Sequence, residues 1–111
     1  MTNHEQCLEL ACLIREGCKK SKKIEYFLFA RNKFEYFTCV LGTILDAKGK
    51  LDLTSSDTLA YQFLDREFPV LRYSFIGPDT LATLLVRKND SERKSREEIA
   101  DWLESLEWPN E

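Results

Sequence analysis

The segment from residue 24 to residue 45 constrains this chain more than any other part of it. Six of the thirteen aromatic residues fall between positions 26 and 37, and the longest polar run there is Arg31-Asn32-Lys33. Aromatic and β-branched residues suit the pleated, half-buried surface of a strand, so two strands are expected over 24–30 and 34–45, joined by a tight turn. Side chains alternate across a strand. Ile24, Tyr26, Leu28 and Ala30 then oppose Phe27 and Phe29, while Tyr36, Val40 and Ile44 oppose Phe37, Cys39 and Leu41. Both faces of such a hairpin are apolar, whereas an antiparallel sheet in a small protein usually leaves one face to water. Either the chain's own helices cover both faces, or a partner or second copy covers what they leave.

Three helices are expected around that hairpin. Cys7, Leu10, Ala11, Ile14 and Cys18 recur at helical spacing, and the stretch runs out in Gly17 and a cluster of lysines suited to a helix C-terminus. Thr54-Ser55-Ser56-Asp57 offers an N-cap ahead of Leu59, Ala60, Phe63 and Leu64, with Pro69 ending the helix. Ser95-Arg96-Glu97-Glu98 is a capping box leading into Ile99, Trp102, Leu103 and Leu106. A short third strand is expected over 50–53, and two more over 70–76 and 80–87. The predicted fold is therefore a single α+β domain over residues 1–111, in the order α-ββ(β)-α-ββ-α. Its antiparallel sheet would have four to five strands, packed with three helices.

Composition narrows the function. At 111 residues the chain has room for one core, burying about two-thirds of its unfolded surface. No apolar stretch approaches a membrane span, and the N-terminus has no basic-then-apolar leader, so a cytoplasmic protein with reduced cysteines is expected. The net charge of -3 is uneven. Residues 1–50 carry nine Lys/Arg against six Asp/Glu, and residues 51–111 carry seven against thirteen. The last helix begins basic and ends in Glu104 and Glu107, against its own dipole, so attraction between that acidic end and Lys19, Lys20, Lys22 and Lys23 is expected within or between chains.

Catalytic motifs are missing. Gly42 and Gly49 stand too far apart for a phosphate loop and Leu51 follows Lys50, so a turn with Gly49 at positive φ is the better reading. His4 is the only histidine, which leaves serine or cysteine nucleophiles without a base. The cysteines lack C-x-x-C spacing, and Cys12 points about 140° away from Cys7 on a helix. No metal and no cofactor is expected. Carboxylate chemistry at Glu25, Glu35 or Asp46 is the weakest of the alternatives.

No motif assigns the chain to a family. Its expected order of elements is similar to that of small dimeric secretion-chaperone domains and, less closely, of roadblock-type adaptor domains, a likeness that implies a protein working by holding another protein. The leading expectation is a non-enzymatic protein-binding module of adaptor, chaperone or inhibitor type, a dimer or bound to a protein partner. Tyr26, Phe27, Phe29, Tyr36, Phe37 and Trp108 are the candidate partner-binding residues. The alternative is nucleic-acid binding through Arg15, Lys19, Lys20, Lys22 and Lys23, with the aromatic residues as stacking groups.

Overall fold

Thr2 closes the first turn of the opening helix by accepting from the Glu5 amide at 3.0 Å, while the Glu5 carboxylate accepts from the Thr2 amide at 3.0 Å. Ser95 and Glu98 make the same reciprocal pair at the last helix, and Ser56 alone caps the helix that follows it. These backbone and side-chain hydrogen bonds hold the Glu5 and Glu98 carboxyls below the ordinary range. The computed structural model describes residues 1–109, without the side chains of Phe75 and Ile76. In order, its elements are α1 (Asn3–Cys18), β1 (Lys22–Lys23), β2 (Phe29–Arg31), β3 (Tyr36–Thr38), α2 (Val40–Ala47), α3 (Asp57–Glu67), β4 (Ser74–Ile76), β5 (Asp79–Thr80), α4 (Leu81–Asp90) and α5 (Arg96–Ser105). Short 3-10 turns occupy Leu51–Ser55 and Pro69–Arg72.

The expected antiparallel sheet of four to five strands with three helices is not what forms. The described residues build five helices, a three-stranded mixed sheet and a separate two-stranded pair, β4 with β5. In the mixed sheet β3 is central, with β1 parallel to it (Lys22 opposite Phe37) and β2 antiparallel (Ala30 opposite Phe37). The turn expected at Arg31-Asn32-Lys33 does close β2 onto β3, with Asn32 Oδ1 accepting from the Phe34 and Glu35 amides.

Two expected strands are helices, for identifiable reasons. Cys39 is an N-cap whose Sγ accepts from the Gly42 amide at 3.4 Å, and every residue from Val40 to Asp46 is buried. A helix buried all round shows a continuous apolar run rather than a period, and its β-branched residues then mimic a core strand. Thr80 caps α4 by accepting from the Thr83 amide at 3.2 Å, and Leu81, Leu85 and Asn89 face inward at four-residue steps. Residues 50–53 and the start of 70–76 are taken by the 3-10 turns. Gly49 does take positive φ, at 71°, in the turn after α2. The likeness to secretion-chaperone and roadblock-type domains rested on the strands that are lost, and it goes with them.

All five helices feed one core. Leu10, Ile14, Leu41, Ile44, Leu45, Leu64, Leu81, Leu85, Ile99 and Leu103 are fully buried within a single cluster. Each such side chain contributes roughly 1.5–3 kcal/mol over leaving it in water. Among the described residues no helix is long and apolar enough to cross a membrane.

Polar contacts fix how α1, α2 and α5 meet. The acidic stripe of α5 attracts a cation of α1 as the charge pattern predicts, but the cation is Arg15 rather than the lysine cluster. Its guanidinium lies 2.6 Å from Asp101, 2.5 Å from Glu104 and 3.4 Å from Glu97. At the other end of α5, Arg96 is only 7% exposed. Its Nη1 donates to the hydroxyls of Ser21 (3.1 Å), Thr38 (3.0 Å) and Thr43 (3.2 Å), and its Nη2 to the Ser21 carbonyl. Beside this network a Cβ on Gly17 would collide with the Thr43 side chain and carbonyl, so only glycine lets α1 approach α2 so closely.

Replacing Arg96 with Leu leaves these hydroxyls buried without their donor and is expected to cost about 2–4 kcal/mol. Gly17→Ala is expected to cost about 1–3 kcal/mol through overpacking. Urea unfolding followed by circular dichroism measures both, and unchanged midpoints would remove this junction from the account of stability.

Candidate partner-binding site

Between β1 and β2 the chain does not run straight. Tyr26 adopts φ 70°, a left-handed conformation that is an outlier for a bulky residue. Three anchors hold the loop there. The Tyr26 amide donates to Asp90 Oδ1 at 2.9 Å, and Asn89 Nδ2 donates to the Ile24 carbonyl at 3.0 Å. The Leu28 carbonyl lies so close to Gly42 of α2 that no Cβ fits between them. The result is an outward turn that leaves Tyr26 70% and Phe27 63% exposed.

Beneath the loop is a hollow of about 190 Å³. Tyr26, Phe27, Phe29 and Tyr61 supply aromatic walls, Leu28, Val40 and Val86 aliphatic ones. Cys39, Val40, Asn89 and Asp90 are its buried members, and Asp57 is exposed at its rim. No Lys, Arg or His lines it. Burial pushes the Tyr61 phenol up, reinforced by the Cys39 thiol and by Asp57, Asp90 and Asp65. Burial likewise pushes the Cys39 thiol up, so at neutral pH it is a protonated packing group and helix cap rather than a nucleophile. A second depression shares Tyr61 and Val86 and continues over Ala82 and Thr83 of α4.

The other sequence-predicted residues are scattered. Tyr36 is half-buried with its ring 6.0 Å from that of Phe29, and its hydroxyl donates to Asp46 at 3.0 Å. Phe37 is half-buried in the central strand. Trp108 packs edge-on to Tyr73 at 4.9 Å and borders a different hollow with Thr2, His4, Leu106 and Glu107. Arg15 faces three carboxylates of its own chain, Lys22 pairs with Glu35 at 2.8 Å and Lys23 with Glu25 at 3.4 Å, while Lys19 and Lys20 border a shallow hollow with Lys22. Glu25 and Glu35 are thus each set against a lysine. Asp46 is buried against Tyr36.

Sequence reasoning missed Phe34, 89% exposed beside the β2–β3 turn, and also Tyr61, Asp57, Asn89 and Asp90. Asn89 and Asp90 fall just past the strand expected over 80–87; the signal that places them on a helix is the Thr80 cap followed by Leu81 and Leu85. No family model, curated protein or solved structure matches the chain.

The thiols test this geometry. Cys12 is exposed and Cys39 and Cys7 are buried, so a maleimide at neutral pH should label Cys12 first and the other two only on unfolding. Peptide mass mapping checks this, and equal rates at Cys12 and Cys39 would mean that the hollow is open to its base. Alkali tests it again. The Cys18, Cys39, Tyr36 and Tyr61 values are all raised, so the folded state keeps protons that the unfolded chain loses. Their contribution is fully present below about pH 8.5, the ordinary thiol value, and is lost as pH rises through the raised values. Urea midpoints are expected to fall as pH rises above about 8.5.

Proposed function

We propose that this protein is a non-enzymatic protein-binding module of adaptor, chaperone or inhibitor type, gripping another protein or a second copy of itself through the aromatic loop. The observation that carries the reading is Tyr26, held at positive φ with its ring and that of Phe27 in solvent. Strained backbone persists only where the surroundings over-determine it, and it concentrates at binding sites and clamps. Exposed aromatic rings on a rigid support are the side chains from which interfaces draw most of their affinity. Leu59 and Tyr61 of α3 are also exposed, and Phe34 is more so, which adds apolar surface on the same chain. Cys12, Cys18 and Cys39 are free thiols, which favours a reducing compartment, and we infer a cytoplasmic module.

The test is co-purification from the source with the native chain and with the double variant Tyr26→Ser, Phe27→Ser. Both side chains are exposed, so the variant is expected to fold, and to bind its companion more weakly by about 2 kcal/mol or more per ring. A strict monomer without a companion at micromolar concentration overturns the reading. So does a companion that proves to be nucleic acid, released by salt and lost on charge reversal at Lys19, Lys20, Lys22 and Lys23.

A further inference from the structure

We propose that the hollow beneath the Tyr26–Phe27 loop is a receptor for a primary ammonium group, the tip of a lysine side chain presented by the protein partner. This rests on the protein-binding reading above and names the anchor that the partner supplies.

The argument begins at Asn89. Its side chain is fully buried and lines the hollow, and its Nδ2 donates both to the Ile24 carbonyl at 3.0 Å and to Asp90 Oδ1 at 2.8 Å. Those two acceptors fix the amide's orientation. Its Oδ1 is therefore an acceptor with no donor, which native structures seldom leave so. Asp90 beside it is 8% exposed and forms no ion pair among the described residues, its Oδ1 taken by the Tyr26 and Asn89 N–H groups. A buried carboxylate facing neutral donors alone is costly, and a cation in the hollow relieves that cost. Asp57 adds a second negative charge at the rim, and no lining residue brings a positive one.

The walls fit the same guest. Tyr26, Phe27 and Tyr61 put aromatic residues beside a bound cation, and Val40 and Val86 put apolar ones beside a methylene stem. The acceptors discriminate between cations. A guanidinium is best met by both oxygens of one carboxylate, but one oxygen of Asp90 is already doubly bonded. Asp90 thus offers one open oxygen, and the carboxylate that keeps both, Asp57, lies out at the exposed rim, so the buried end of the hollow suits the radiating donors of an ammonium better than a planar fork. At about 190 Å³ the space far exceeds the roughly 10–15 Å³ that one water occupies.

The experiment follows the amide NMR spectrum of the full chain while adding N-acetyl-lysine-methylamide, and separately its ε-acetylated form, which keeps the stem and loses the charge. Saturable shifts at Tyr26 and Asn89 are expected with the lysine compound, on the order of tenfold weaker with the acetylated one. Asp90→Asn retains an oxygen for the Tyr26 amide, so it is expected to keep the native spectrum and to weaken binding on the order of tenfold. If that variant disturbs the loop, Asp57→Asn at the exposed rim replaces it, with a smaller weakening expected. Absence of saturable shifts, equal affinity for both compounds, or unchanged affinity in the charge-removing variants each overturns the proposal. Saturable, charge-dependent shifts in a chain that captures no protein would leave the ammonium site standing and the protein-binding reading fallen. A partner lost with Tyr26 and Phe27 but indifferent to Asp90 and Asp57 would do the reverse.

Discussion

One buried cation joins more of this molecule than any other side chain. Arg96 opens α5, yet its guanidinium reaches the link after α1 at Ser21, the end of the central strand at Thr38 and the middle of α2 at Thr43. All its partners are neutral oxygens, so no single one offsets the cost of removing the charge from water, and the arrangement works only when they arrive together. Around it, the close approach of Gly17 to Thr43 sets α1 against α2, and the ladder of β3 with β1 and β2 places the two ends of the aromatic loop. The hollow is thus downstream of a junction that contributes nothing to its lining.

The loop and the last turn of α4 are interdependent. Asp90 ends that helix, where the dipole disfavours a carboxylate. Its placement serves the neighbouring loop instead, through the Tyr26 amide, and Asn89 adds a grip on Ile24. An acid that its own helix disfavours, next to an amide oxygen with no donor, marks a position where local preference yields to contacts made elsewhere in the fold.

How much of this was legible in the sequence follows from what each segment signals. The helices α1, α3 and α5 were readable because polar caps and one-sided apolar stripes coincide there, as at Ser95 with Glu98 and at Leu10 with Ile14. The helix α2 was not, because complete burial erases its period and its cap is a cysteine, which ranks poorly among cap residues. The helix α4 was legible in principle from Thr80, Leu81 and Leu85, but its Leu- and Val-rich run also fits a strand. Of the candidate site, Tyr26, Phe27 and Phe29 could be named from their density alone. The left-handed turn at Tyr26 could not, since no glycine or asparagine announces it and its two hydrogen-bonded anchors lie more than sixty residues away.

The anchoring of that loop bears on how quickly and how selectively it meets anything. Its backbone is already ordered at Ile24, Tyr26 and Leu28, so little chain entropy remains to be lost at encounter, and binding needs no slow rearrangement. The same rigidity removes the option of reshaping to suit unlike surfaces, which flexible or methionine-rich binders retain. On the protein-binding reading proposed above, a loop built this way favours brisk association with a narrow set of partners over tolerance of many.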